Sequence, residues 1–297
     1  MNTFIQAIGF GLVTASLVAI GAMGFTLQFG LTNILNLAYG VVMTLGAFAA
    51  YEVDSVSGMN PWVGVVAGSI IGAVATFLIG KGFFPFFVRR GVGLLQVVML
   101  TLGLTLVVQF TIEAIDRGSL YQFSNFPTGR TVHVGAIVLT GTEIIFMVLA
   151  FVLYLAIAGL LHLTRLGKAL RAMSVEPSLA KSCGIPTSKI VSVTWIVSGL
   201  LAGLAGVAYV VNTNTVDSYA GSDFLAPVLA AAILGQSGSP GGAVIASVLV
   251  GCATEIVSAY GGSAYATVAG FGVLLVVLLA RPGNVMSELT KKVEFTV

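Results

Sequence analysis

Apolar residues fall along this chain in long runs separated by short polar or glycine-rich breaks. Crossing a hydrocarbon core about 30 Å thick takes roughly 20 apolar helical residues. Runs of that order lie at 8–29, 33–51, 61–83, 93–114, 142–163, 190–211, 240–259 and 266–281. A ninth, 224–235, is shorter, and at about 1.5 Å per residue it reaches only part-way across. The pattern predicts an all-α fold: a polytopic integral membrane helical bundle of about eight long transmembrane helices plus one short broken half-span. Residues 1–297 read as one transmembrane domain, with a cytoplasmic loop at 164–189 and an external loop at 116–141.

Composition agrees with that pattern. Of 297 residues 57% are hydrophobic and 8% charged, against about 25% charged in a soluble domain. No Lys or Arg precedes the first run and more membrane sequence follows it, so it reads as a retained span and not a cleaved signal.

Charge then orients the bundle, because cytoplasmic loops retain basic residues. Lys81, Arg89 and Arg90 form one cluster, Arg165, Lys168, Arg171, Lys181 and Lys189 a second, and Arg281, Lys291 and Lys292 a third. Alternating spans put all three on one side. The opposite loops carry Glu52, Asp54, Glu113, Asp116, Glu143, Asp217 and Asp223, with Arg117 and Arg130. The expected topology is N-terminus outside and C-terminus cytoplasmic, in a multi-pass bacterial cell (inner) membrane protein. It closes only if 224–235 dips in and 240–259 returns. The basic loops also suit anionic lipid. The net charge of +2 gives no reason to expect nucleic acid.

Enzyme chemistry finds no support in the residues. There is no phosphate-binding G-x-x-x-x-G-K-[ST], no H-E-x-x-H, and no serine, histidine and acid grouped around a nucleophile. Cys183 and Cys252 fall in a loop and a span, and His133 and His162 on opposite sides, so neither a disulfide nor a metal site is expected. The spans hold few ionisable groups, which speaks against proton or ion coupling by side chains. Gly64, Gly68 and Gly72, Gly199 and Gly203, and Ala243, Ser247 and Gly251 repeat at four-residue spacing and read as packing seams.

Two segments remain. The first is 28–40, QFGLTNILNLAYG, which interrupts apolar helix with amides and glycines. Non-helical backbone at membrane depth is tolerated only inside protein or along a wet cavity, and paired interruptions in two halves point to a solute pathway. Asn33 and Asn36, three apart, would share a helix face if the second span begins early, while Gly30 would let the backbone break and Gly40 would allow close approach. The apparent counterpart is 234–242, LGQSGSPGG, for which a tight cytoplasmic turn is an equal alternative. Candidate path residues are therefore Phe29, Gly30, Asn33, Asn36, Tyr39, Gly40, Gly235, Gln236 and Ser237. The second segment is the loop 164–189. Its apolar spacing allows short amphipathic helices broken by Pro177, with Gly184 as a C-terminal stop. Such a knob suits docking to another protein, or lying on lipid.

With these residues on view the chain resembles the permease subunits of binding-protein-dependent ABC importers for branched-chain amino acids, the Liv-type permeases of the LivH class. Gly21-Ala22-Met23-Gly24-Phe25, Asn36-Leu37-Ala38-Tyr39-Gly40 and Gly46-Ala47-Phe48 resemble the family's first block. Ala172-Met173-Ser174 through Glu176, Ala180, Cys183-Gly184-Ile185 and Lys189, then 198–206, resemble its coupling loop and following span. Ala230 to Gly235 with Gly238, Pro240-Gly241 and Gly251 resembles the third block, and Arg281-Pro282-Gly283 its close. Tyr39 and Val41 depart from the histidine and glutamate common in the first block, which leaves the solute open among amino acids, urea, short amides and sugars.

The resemblance implies a type II ABC importer-like fold and a translocation path for a small polar solute, branched-chain or related amino acids first. It implies a second permease subunit, homologous or identical, two ATP-binding subunits that hold the ATP, and a periplasmic or extracellular solute-binding protein. No cofactor is implied in this chain. Arg171, Ala172, Glu176, Ala180, Gly184 and Ile185 would couple to the ATPases, and 116–140, with Arg117, Tyr121, Phe123, Phe126 and Arg130, would contact the binding protein. The reading from another class is a self-contained channel or facilitator for a small polar solute such as urea.

Overall fold

Hydrocarbon offers the backbone no hydrogen-bond partners, so apolar runs close their own N–H and C=O groups as helices. A computed structural model describes residues 2–88, 90, 93–123, 131–134, 137–235, 238–262 and 265–280. Its helices are α1 (Asn2–Thr32), α2 (Tyr39–Tyr51), α3 (Pro61–Leu78), α4 (Phe84–Val88), α5 (Leu94–Asp116), α6 (Gly141–Leu163), α7 (Arg165–Val175), α8 (Pro177–Ser182), α9 (Thr187–Thr213), α10 (Ala220–Leu234), α11 (Pro240–Gly261) and α12 (Tyr265–Ala280). Strands β1 (Val132–Val134) and β2 (Ile137–Leu139) pair antiparallel, His133 opposite Val138. Residues 132–134 of the loop expected outside are thus one strand of a two-stranded sheet.

Among the described residues six helices are long and apolar enough to cross a membrane. A π-helical turn, Glu52–Val56, lengthens α2, and another, Ile79–Phe83, joins α3 to α4. The span expected at 33–51 starts later, at Tyr39, because α1 continues through Thr32. The half-span expected at 224–235 is the longer α10, a 15-residue helix. At about 1.5 Å per residue it still falls short of a full crossing.

The small-residue seams set which helices touch. Gly64 and Gly68 of α3 lie on Ala50 and Gly46 of α2, while Gly72 lies on Gly199 and Gly203 of α9. Gly251 of α11 meets Gly11 and Ala15 of α1, and at the other end Gly238 approaches Gly30, so α1 and α11 run antiparallel. Without side chains at these points backbones approach closely, and dispersion replaces the hydrophobic drive that lipid does not supply.

Charges separate toward the two ends. Gly80 packs on the indole of Trp195, which brings Lys81 to the end from which α7 and α8 project. At the opposite end the Tyr51 and Tyr121 rings lie 4.7 Å apart, Tyr121 bridges to Val216, and the Tyr219 hydroxyl donates to Glu113 at 2.8 Å. Glu52, Asp116 and Asp217 belong to that end, where a hydrogen bond to Asp116 holds the Tyr121 phenol above its ordinary pKa. Arg89, Phe126, Arg130, Arg281, Lys291 and Lys292, and the closing 281–283, lie outside the described residues.

Candidate functional site

The break after α1 is built from side chains that stop one helix and start the next. Thr32 Oγ1 donates to the Gln28 carbonyl at 2.8 Å, and Asn33 takes a left-handed conformation, φ 51°. Asparagine tolerates that region better than most residues because its short polar side chain bonds locally. Asn36 Oδ1 then accepts from Ala38 N–H at 3.1 Å, an Asx turn that launches α2. Residues 33–38 therefore double back beside α1. The Tyr39 hydroxyl donates to the Gly21 carbonyl at 3.0 Å, well up the helix from Thr32, so α2 begins deep in the bundle. The backbone breaks at Asn33 and not at Gly30, and Asn33 and Asn36 share no helix face because both sit in the link.

Among the described residues this construction recurs once, upside down. Thr213 Oγ1 donates to the Tyr209 carbonyl at 3.2 Å, Asn214 has φ 52°, and Asp217 Oδ1 accepts from Tyr219 N–H at 3.2 Å ahead of α10. Thr32, Asn33, Asn36 and Gly40 correspond at one fixed interval to Thr213, Asn214, Asp217 and Gly221. α1 runs toward the basic end and α9 away from it, so the two broken segments are inverted copies. They meet at Gly40 and Gly221, where a Cβ on either would strike the other's carbonyl oxygen, and the Gly221 N–H donates to Thr44 Oγ1 at 3.1 Å. Broken helices at an inverted-repeat interface are where transporters place solute sites.

The counterpart of 28–40 is thus 209–221 and not 234–242. Gly235 presses on Gly242 and Ala243, Gly238 has φ 81°, and the Ser239 hydroxyl accepts from Gly242 N–H: a tight turn between α10 and α11. Gln236 and Ser237 lie outside the described residues.

The remaining candidates differ in surroundings. Phe29 is buried and stacks with Phe25 at 6.0 Å, and the Tyr39 hydroxyl also contacts the Ser198 carbonyl at 3.3 Å, so both are held in packing. Asn36 is 1% exposed, and its Nδ2 has no partner among the described residues. Gly30 lines a cavity of about 40 Å³ with Leu27, Leu170, Arg171 and Ser174, which joins the end of α1 to α7.

In the 164–189 loop Thr164 caps α7, and Leu170 and Met173 face inward. Arg171, Ala172, Glu176 and Gly184 are exposed and Ile185 half-buried. Ala180 is buried, so it supports the knob from within and offers no docking surface. Outward instead point Val175, 81% exposed, and Leu179, 62% exposed.

Sequence reasoning passed over a polar edge on α5. Thr101 Oγ1 accepts from Leu37 N–H of the first link at 3.2 Å, and Gln109 Oε1 accepts from Ser222 Oγ beside the second break at 3.0 Å. Thr101, Thr105 and Gln109 are buried at four-residue spacing on a helix whose other faces are apolar and exposed. That spacing, visible in the sequence, marks one helix face.

Comparison with known proteins gives this arrangement its context. The chain is 26% identical over 298 residues to the high-affinity branched-chain amino acid transport system permease protein LivH of Escherichia coli (strain K12), covering 96% of each. It is 28% identical over 276 residues to the probable branched-chain amino acid transport permease protein LivH of Methanocaldococcus jannaschii, covering 91% of this chain and 87% of that one. The ribose import permease protein RbsC of Escherichia coli (strain K12) is 29% identical over 234 residues, 76% and 68% of the two chains. No solved structure matches. A family model matches residues 7–279, and the chain belongs to that family, the permease component of branched-chain amino acid transport systems.

Proposed function

We propose that this permease carries branched-chain or closely related amino acids inward, past the inverted breaks at 33–38 and 214–219, as one of two membrane subunits of an ABC importer. ATP is bound by two partner subunits, and a solute-binding protein delivers the cargo to the acidic end. The observation that carries this reading is the meeting of two inverted broken helices at Gly40 and Gly221 with the buried amide of Asn36 beside it. Neutral amides suit a path, because a route must release what it admits and a fixed charge would hold a zwitterion.

Orientation follows from the charge separation, with the basic end cytoplasmic. Cys183 is exposed on that end and Cys252 is partly buried in α11. A membrane-impermeant maleimide is expected to label Cys183 in inside-out vesicles and to spare it in right-side-out ones. Labelling from the outside reverses the topology.

Coupling is assigned to the knob of α7 and α8. Val175 and Leu179 are apolar side chains held outward on a polar surface, which suits insertion into a partner's cleft. A Val175→Asp, Leu179→Asp variant should still insert and fold, yet lose both uptake and the ATPase activity stimulated by the loaded binding protein. Full stimulation in that variant would favour a lipid-surface role for the knob. Solute equilibration without ATP would favour the channel reading.

A further inference from the structure

Three buried N–H donors around the break at 33–38, the inner of the two, have no acceptor among the described residues. Asn36 Nδ2 and Gln28 Nε2 are unpartnered among the described residues, and so is the indole Nε1 of Trp195. Each of these side chains is 1% exposed. The oxygen ends of the two amides are already occupied, by Ala38 N–H at 3.1 Å and by the Ser198 hydroxyl at 3.2 Å. What they leave free is donor only, as the indole is by nature.

The three belong to one neighbourhood. Gln28 bonds Ser198 of α9, and Trp195 lies one turn before Ser198 on that helix. Tyr39, which closes the link, also bonds the Ser198 carbonyl. Ile34 of the link packs in one apolar cluster with Trp195, which seats the link against the same stretch of α9. A buried donor without an acceptor is costly, and native interiors rarely keep several together without a purpose.

The geometry points to a carboxylate site here: Gln28, Asn36 and Trp195 form a neutral, donor-only niche at the inner break that takes the carboxylate of the amino acid cargo as the path opens. This rests on the transport reading above and adds which end of the zwitterion is held, and where. A carboxylate stripped of water needs several N–H donors at once. Two amide NH₂ groups and an indole N–H supply them without a cation that would retain the cargo. The niche lies among the last turns of α1, the 33–38 link and the half of α9 nearer the basic end, so in the proposed orientation it acts late in the passage, before release.

Trp62 and Trp195 are the two tryptophans, so Trp62→Phe leaves Trp195 as the sole indole reporter in the full chain. In lipid nanodiscs its emission should change saturably with leucine and with 4-methylpentanoate, which keeps the carboxylate and lacks the amine. It should not change with 3-methylbutylamine, which has the amine alone. Adding Asn36→Leu should remove the response. No response to either acid, or an equal response to the amine, overturns the niche. In the assembled importer Trp195→Phe keeps an aromatic ring but removes the N–H together with the pyrrole part of the indole. It should lower leucine uptake at least fivefold while the complex still assembles, at some cost in Tm from the smaller ring, whereas unchanged uptake means the donor is merely orphaned and overturns the niche. Failure of the transport reading is separately visible as the absence of ATP-dependent leucine uptake by the wild-type importer, whatever the Trp195 response.

Discussion

Leucine in place of Gly221 should prevent the permease from accumulating in folded form. At this position a Cβ would overlap the carbonyl oxygen of Gly40 and crowd Thr44, whose hydroxyl accepts the Gly221 N–H. The obstacle is backbone, which has no rotamer to give way. Overpacking a well-packed interior costs about 1–3 kcal/mol and sometimes more, against a total stability of only about 5–15 kcal/mol. Leucine at the meeting point of both broken helices belongs at the upper end. The measurement is the yield and Tm of the detergent-solubilised chain, with Gly103→Leu alongside, since nothing lies within 4 Å of a Cβ there. Gly221→Leu should be lost and Gly103→Leu retained. Equal recovery of the two would mean that the inverted repeats do not meet as described.

Asn36→Leu should do the reverse, sparing the fold and stopping transport. The substitution leaves the Ala38 N–H without its acceptor, Asn36 Oδ1, and a buried donor left unpaired costs about 1–3 kcal/mol. It also removes an amide nitrogen that is buried without a partner, which offsets part of that cost. The complex should assemble with a Tm close to that of the wild type. Uptake should fall at least tenfold, about 1.4 kcal/mol in the barrier, because the link then offers the cargo a hydrocarbon surface. Asn33→Leu acts differently. Its left-handed φ of 51° suits Asn and strains Leu, so its milder loss of uptake should come with a lower Tm. If Asn36 served only to start α2, its replacement would lower Tm and uptake together.

The apolar spans were legible in the sequence because run length and composition decide them. The first break was legible as a break, but its place was not. The helix ends where Asn33 turns left-handed, and amide and glycine content alone do not locate that residue. The inverted copy was hidden for a related reason. Segment 209–221 leaves its apolar run at Asn212, reads as an ordinary polar loop and carries a single Gly and no Pro, whereas 234–242 is rich in Gly and has the Pro that marks a break. The recurrence of Thr-Asn, then Asn or Asp three residues on, then Gly four further, was present in the residues throughout. Inward-facing Ala180 and outward-facing Val175 and Leu179 show a different limit: α8 is too short for its periodicity to say which face is covered. The donor niche was not legible at all, because whether Gln28, Asn36 and Trp195 find partners depends on helices distant in sequence.

The most direct test of the transport account is uptake of labelled leucine into proteoliposomes holding this chain with its partner permease and ATPase subunits, supplied with binding protein and ATP, for wild type and Asn36→Leu. The expected result is accumulation above the outside concentration that requires ATP and is lost in Asn36→Leu at undiminished complex yield. Accumulation by Asn36→Leu equal to that of the wild type would contradict the assignment of the path to the inner break.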